Sequence, residues 1–80
     1  MSPARAALAP SDAALRAMRQ LAGGIGAAIR DERRRRRWTL RELATRAGVS
    51  VSHLHGVEAG RPASLLTCAR IIQALGLRSE

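Results

Sequence analysis

The first half of the chain carries apolar residues at alternating spacings of three and four, which is the period of an amphipathic helix. The stripe follows Ser11, a residue type that caps helices, and it consists of Leu15, Met18, Ala22, Ile25 and Ile29. Glycines at 23, 24 and 26 interrupt it, and each disfavours a helix interior by about 1 kcal/mol relative to alanine. We therefore predict a break there, with an N-terminal helical extension over 11–23 and the first core helix over about 24–36.

A second pattern predicts two short helices that are joined by a tight turn. Thr39 is placed to cap a helix and Glu42, three residues later, to complete a capping box. Gly48 follows where the chain must turn sharply, and Ser50 is placed to cap the next helix, over 51–59. Two short helices with so tight a junction cross at a steep angle, which is the helix-turn-helix arrangement.

The remainder of the chain predicts one more helix and a flexible start. Ser64 is placed to cap a final helix and Gly76 to end it. The apolar residues at helical spacing between them are Leu65, Cys68, Ala69, Ile72 and Leu75. Residues 1–10, with two prolines among small residues, predict a flexible N-terminal arm. The predicted fold class is all-α, a compact bundle of four to five helices in which a helix-turn-helix domain covers 24–78.

The charge of the chain indicates the chemistry of its partner. Fourteen arginines against six acidic residues give a formal net charge of +8, which favours a polyanion through phosphate contacts and counterion release. The run 33–37 at the end of the first core helix is entirely arginine. Five successive residues surround a helix, so we expect some stems to lie over the apolar core with their heads at the surface, while others face the partner.

Other classes of function find little support in this composition. Cys68 is the single cysteine, which excludes an internal disulfide. His53 and His55, two residues apart on a helix, point in different directions, so we expect no metal site. The chain shows no paired carboxylates, phosphate-binding glycine loop or activated nucleophile, so we expect neither an enzyme nor a cofactor. No segment is apolar enough to anchor or export the chain, and we expect a cytoplasmic protein.

The second helix of the helix-turn-helix has an apolar and a polar side. Leu54 and Val57 lie on the side that packs, whereas a DNA major groove would meet the outward side and the first turn. The residues that we expect to contact base edges are Val51, Ser52, His53, His55 and Gly56. The residues that we expect to contact phosphates are Arg37, Thr39, Arg41 and Arg61, which flank the motif. No Arg, Gln or Asn stands on this side of the helix, so we expect modest sequence specificity.

The segment TLRELATRAGVSVSHLHGVEAG, residues 39–60, resembles the phage-repressor/Cro (Xre) family of helix-turn-helix proteins. The resemblance extends over about 25–76, and its motifs are Leu43-Ala44, Gly48-Val49-Ser50, Glu58-Ala59-Gly60, Pro62 and Leu75-Gly76. It implies a lambda-repressor-like bundle that binds a double-stranded DNA operator as a homodimer. It also implies transcriptional regulation in bacteria or their phages, and hence a place at the nucleoid.

Two positions depart from the pattern of that family. Its members commonly carry a long polar or basic side chain where Gly56 stands, and often Gln or Ser where Leu40 stands. Both departures bear on affinity and discrimination and leave the fold unaffected. The helix or tail that the family uses for dimerisation is also missing, so the segment 11–22 is the candidate to replace it.

An alternative function keeps the fold and changes the partner. In that interpretation the chain is a protein-interaction module, for example an antitoxin-like or regulatory subunit, which uses the apolar N-terminal stripe. No obligatory small molecule is evident in either case. The two hypotheses differ in salt dependence, because DNA binding weakens steeply as salt rises.

Overall fold

Four helices make up the part of the chain that the computed structural model describes, residues 9–76. They are α1 (Asp12–Arg35), α2 (Leu40–Ala47), α3 (Val51–Glu58) and α4 (Leu65–Ala74). No strand occurs in this range, and the predicted all-α fold is confirmed. Residues 1–8 of the expected arm and residues 77–78 of the expected domain lie outside the described residues.

The first helix is continuous through its glycines, so the predicted break is wrong. α1 runs for 24 residues, and the reason lies in its packing against α3. Gly26 is buried, and a Cβ placed there would lie 2.1 Å from the carbonyl oxygen of Val57. The missing side chain lets α1 lie directly on the backbone of α3, and this contact offsets the low helix propensity of the glycines. The division into an extension over 11–23 and a domain over 24–78 stays a prediction, since no helix end marks it.

Each helix begins at the hydroxyl residue that the sequence predicts. The side-chain oxygens of Ser11, Ser50 and Ser64 each accept a hydrogen bond from the backbone N–H three residues later. At Thr39 the capping box is complete. The Thr39 hydroxyl accepts from the Glu42 N–H at 3.1 Å, and the Glu42 carboxylate accepts from the Thr39 N–H at 3.0 Å. Each cap contributes about 1 kcal/mol to helix stability.

The core is small and is shared among all four helices. Its buried residues are Ile29, Leu43, Ala44, Ala47, Leu54, Val57, Ile71 and Leu75. The largest that are fully buried, Leu43, Leu54 and Ile71, come one each from α2, α3 and α4. A chain of this size buries only about 60% of its unfolded surface, so a core of this extent is expected.

A Schellman motif ends α1 and directs the chain into α2. The Trp38 N–H donates to the carbonyl of Arg33 at 3.1 Å, and the Arg37 N–H donates to the carbonyl of Arg34 at 2.9 Å. The turn places Arg37 in the left-handed region, with φ of 57°, where glycine is usual. Trp38 then packs on the core, and the Arg46 guanidinium lies 4.2 Å from its ring centroid.

Candidate nucleic-acid interface

The segment from α2 to α3 forms the predicted helix-turn-helix. Both helices are eight residues long. Gly48 ends α2 with φ of 70°, and the Val49 N–H donates to the Ala44 carbonyl at 3.0 Å. A left-handed residue at this point satisfies the last carbonyls of α2 and turns the chain within three residues. Leu54 and Val57 then bury the inner side of α3, so its opposite side faces outward.

Most of the predicted base-contacting residues lie on that outward side. Ser52, His53 and His55 are exposed, and Val51 is half-buried at the start of the helix. The Ser52 hydroxyl can hydrogen-bond to a base edge, the two imidazoles suit either a base acceptor or a phosphate, and Val51 suits a thymine methyl. The outer face of α3 is defined here as these four residues.

Gly56 differs from the other predicted base contacts, because it is buried. A Cβ on Gly56 would lie 3.2 Å from Cδ and 3.8 Å from Nη1 of Arg61, so the side chain of Arg61 lies over this glycine. The backbone of Arg61 is fixed at the same place, since its N–H donates to the Gly56 carbonyl at 3.0 Å. A groove that approaches α3 here would meet the guanidinium of Arg61 before it met Gly56.

The other predicted phosphate contacts lie around the start of α2. Arg37, Thr39 and Arg41 are all exposed within five residues of one another. Thr39 is the N-cap of α2, and free N–H groups and the helix dipole favour an anion at such a terminus. The structure therefore brings these three residues together, whereas Arg61 lies apart from them, over α3.

The arginine run 33–37 divides into three environments. Arg33 is buried, which corrects the expectation that every head of the run lies at the surface. Arg35 and Arg36 form ion pairs with Glu32, and Arg36 also donates to the Leu75 carbonyl at the end of α4. The remaining two, Arg34 and Arg37, are exposed and form no ion pair within residues 9–76.

A buried ion pair that the sequence patterns above did not predict joins α1 to the end of α3. Arg33 donates to both carboxylate oxygens of Glu58, from Nε at 2.7 Å and from Nη2 at 2.9 Å. Its Nη1 donates to the Trp38 carbonyl at 2.8 Å. The hydrogen bonds to Glu58 raise the pKa of the Arg33 guanidinium, so it stays charged at every physiological pH. The signal was present in the sequence, because Glu58 follows Leu54 and Val57 on the packing side of α3, where a carboxylate needs a cation.

The remaining features of the described residues bear on other classes of site. No group of three or more His, Cys, Asp or Glu residues is placed to hold a metal ion within residues 9–76. None of the helices in that range is long and apolar enough to cross a membrane. Cys68 is a free thiol, half-buried in α4.

These features define a class: a small helical protein with a helix-turn-helix whose second helix presents a polar face beside several cations. Comparison with known protein families agrees, because the helix-turn-helix family profile matches residues 29–80, more than half of the chain. The chain belongs to this family, of the phage-repressor (Xre) type, as the sequence motifs predict. Its members are DNA-binding regulatory domains. The comparisons with curated proteins and with solved structures gave no match.

Proposed function

We propose that this protein binds double-stranded DNA with sequence preference and regulates transcription in a bacterium or phage, acting in the cytoplasm at the nucleoid. The observation that carries the proposal is the outer face of α3. Ser52, His53 and His55 are exposed on a helix that Leu54 and Val57 fix to the core. A short rigid helix with this arrangement fits the major groove, where its first turn reaches base edges.

Base and phosphate contacts are made by different groups in this proposal. Val51, Ser52, His53 and His55 contact base edges, and Thr39, Arg37 and Arg41 contact phosphates. Because Arg61 lies over Gly56, the Arg61 guanidinium makes the DNA contact at that point in place of the glycine backbone. It thus supplies a long basic side chain that residue 56 lacks.

The test is fluorescence anisotropy with labelled duplexes at a series of salt concentrations. The protein binds mixed-sequence duplex at low salt, and the affinity falls steeply as salt rises. Arg41→Ala weakens binding to all duplexes alike, whereas Ser52→Ala changes the preference among them. Absence of duplex binding at low salt refutes the proposal, and equal effects of the two substitutions on every duplex refute this division of roles.

Arg61 offers a separate comparison in the same assay. If its guanidinium contacts a phosphate, as the sequence predicts, Arg61→Ala weakens all duplexes alike and lowers the salt dependence. If it reads a base across Gly56, the loss is concentrated at one position of the binding site, by about 1 to 3 kcal/mol for a bidentate contact.

Dimerisation is part of the proposal, through the N-terminal half of α1. Met18, Leu21 and Ile25 form an apolar strip there and are exposed, Leu21 to 68%. Burial of such side chains between two copies stabilises a dimer by roughly 25 cal/mol per Å² of apolar surface. Binding-site selection with the full chain then recovers a palindrome, and Leu21→Glu shifts sedimentation to the monomer. A single unpaired half-site and a monomer at all concentrations contradict this.

The same apolar strip supports the alternative function, a protein-interaction module. Leu65 and Leu66 at the start of α4 are also exposed, Leu65 to 89%, and apolar surface of this kind marks protein contacts. A protein partner that stays bound at high salt, together with no affinity for duplex, favours this alternative. Salt-sensitive duplex binding favours DNA.

A further inference from the structure

A cavity of about 270 Å³ lies between α1 and α3, next to the outer face of α3. Arg30 and Arg34, one helical turn apart on α1, line it from one side, and His55 of α3 lines it from the other. Leu40, at the start of α2, and the ion pair between Arg33 and Glu58 also line the cavity. None of the base or phosphate contacts proposed above uses this cavity apart from His55.

The charge inside the cavity is positive and uncompensated. Glu58 is the acidic residue in the lining, and both of its oxygens already accept hydrogen bonds from Arg33. Arg30 and Arg34 form no ion pair within residues 9–76. Two arginines without ion-pair partners therefore line a space in which the one carboxylate is already neutralised, and this arrangement attracts an anion.

Arg30 also carries a hydrogen-bond donor that lacks a partner. Its Nε is buried and has no acceptor among the described residues. Buried donors in native proteins are almost always paired with protein, water or an ion. The unsatisfied N–H would be satisfied by an acceptor atom from a bound ligand. The planar guanidinium of arginine matches the oxygens of a phosphate, to which it can donate two parallel hydrogen bonds.

We propose that this cavity binds a phosphate oxyanion through Arg30 and Arg34, and that in the DNA complex the oxyanion is a backbone phosphate beside the groove that holds α3. This inference rests on the proposed function. Leu40 lines the cavity, and its chain neighbours Thr39 and Arg41 are the proposed phosphate contacts at the start of α2. The side chain of Arg61, from the loop that follows α3, lies over Gly56. Cations thus flank α3, as a groove about 12 Å wide with phosphates on both edges requires.

The first arm of the test measures the salt dependence of duplex binding by anisotropy. Arg30→Ala and Arg34→Ala each lower the slope of log K against log salt by about 0.9, the value for one lost phosphate contact. Arg70→Ala is the matched control, because Arg70 is an exposed arginine of α4 that does not line the cavity and belongs to no contact proposed above. If both cavity variants have the same slope as the control and the wild type, the cavity does not bind a phosphate of the DNA. Circular dichroism of each variant is the control for correct folding.

The second arm uses the wild-type protein without DNA and therefore does not depend on a variant. Inorganic phosphate, compared with chloride at equal ionic strength, shifts the NMR resonance of the Arg30 Nε–H. A shift without any duplex binding upholds the oxyanion site, makes free phosphate its ligand and refutes the proposed function. Unchanged resonances in phosphate together with unchanged salt slopes overturn the site itself. If the duplex binds and the salt slopes of Arg30→Ala and Arg34→Ala are lowered, the oxyanion in the cavity is a phosphate of the DNA backbone.

Discussion

Two glycines of α1, two residues apart, are expected to respond in opposite directions to the same substitution. Gly24→Ala adds a methyl group in open space, since a Cβ there meets nothing within 4 Å. Replacing a glycine inside an exposed stretch of helix by alanine stabilises the helix by about 1 kcal/mol. The free energy of unfolding should therefore rise by about that amount in this variant.

Gly26→Ala adds the same methyl group against backbone. Its Cβ would lie 2.1 Å from the Val57 carbonyl oxygen and 3.1 Å from that of Glu58, whereas ordinary contacts begin at 3.4 Å. Neither oxygen belongs to a flexible side chain, so α1 and α3 must move apart by more than 1 Å. Overpacking of this kind destabilises by about 1 to 3 kcal/mol, and a gap that size forfeits much of the dispersion between the two helices.

The two variants should differ by about 1 to 3 kcal/mol, because the gain in helix propensity is common to both and only Gly26→Ala carries the clash. An 80-residue domain has a total stability of roughly 4 to 12 kcal/mol, so the difference is large enough to measure. Urea unfolding followed by circular dichroism gives each free energy. The melting temperature should move by about 4 to 8 °C for each kcal/mol.

Equal effects of the two substitutions would contradict a continuous α1 that packs on α3 at Gly26 and not at Gly24. If α1 were broken at its glycines, as the sequence pattern alone predicts, Gly24→Ala would destabilise by opposing the break. Gly26→Ala would then be harmless, because a separate helix could shift to accept the methyl group. The sign of the Gly24→Ala effect therefore distinguishes a continuous helix from a broken one, and the sign of the Gly26→Ala effect tests the contact with α3.

Three further predictions concern the ion pairs and the end of α1. Glu58→Gln leaves Arg33 buried without its partner and should lower the free energy of unfolding by about 3 to 5 kcal/mol. Its control Glu32→Gln, which removes only more exposed pairs, should lower the free energy of unfolding far less; similar losses in urea unfolding would contradict this. Arg37→Gly relieves the positive φ, so it should stabilise the fold by about 1 kcal/mol and raise the melting temperature. The same change removes a proposed phosphate contact, so it should also lower the slope of log K against log salt for duplex binding. The hydrogen bond from Arg36 lowers the pKa of Glu32, so the folded state binds its proton less readily than the unfolded state. The stabilisation that ionised Glu32 contributes is present above the usual carboxyl pKa. It is lost as the pH falls through the lowered pKa that Glu32 has in the folded state. The urea midpoints of wild type and Glu32→Gln should therefore differ at neutral pH and converge as the pH falls below the usual carboxyl pKa.

Local signals predicted the parts of this fold that depend on neighbouring residues. The caps at Thr39 and Ser50 and the turn at Gly48 involve atoms within five positions along the chain, so the residue types alone indicated them. The break in α1 was predicted by the same local reasoning and was wrong. Helix propensity describes an isolated segment, and it carries no information about a carbonyl of Val57 that lies 31 positions away from Gly26.

The candidate site shows the same division between local and distant contacts. Helical periodicity correctly assigned Ser52 and His55 to the exposed side of α3. It also assigned Gly56 there, but a side chain from the following loop, that of Arg61, covers this glycine. Periodicity describes a bare helix, and it cannot show which long side chain from elsewhere folds back over a residue that has none.

The orientation of α3 depends on polar contacts as well as on the core. An isolated helix of eight residues is unstable in water, so α3 exists because its inner side is held. Leu54 and Val57 supply apolar burial, which is non-directional and permits the helix to rotate about its axis. Glu58 supplies direction, because two hydrogen bonds to the planar guanidinium of Arg33 hold its carboxylate in one position. The same guanidinium donates to the Trp38 carbonyl, so one side chain fixes α3 relative to both α1 and the segment that leads into α2. Loss of this ion pair is therefore expected to loosen the orientation in which α3 presents its outer face.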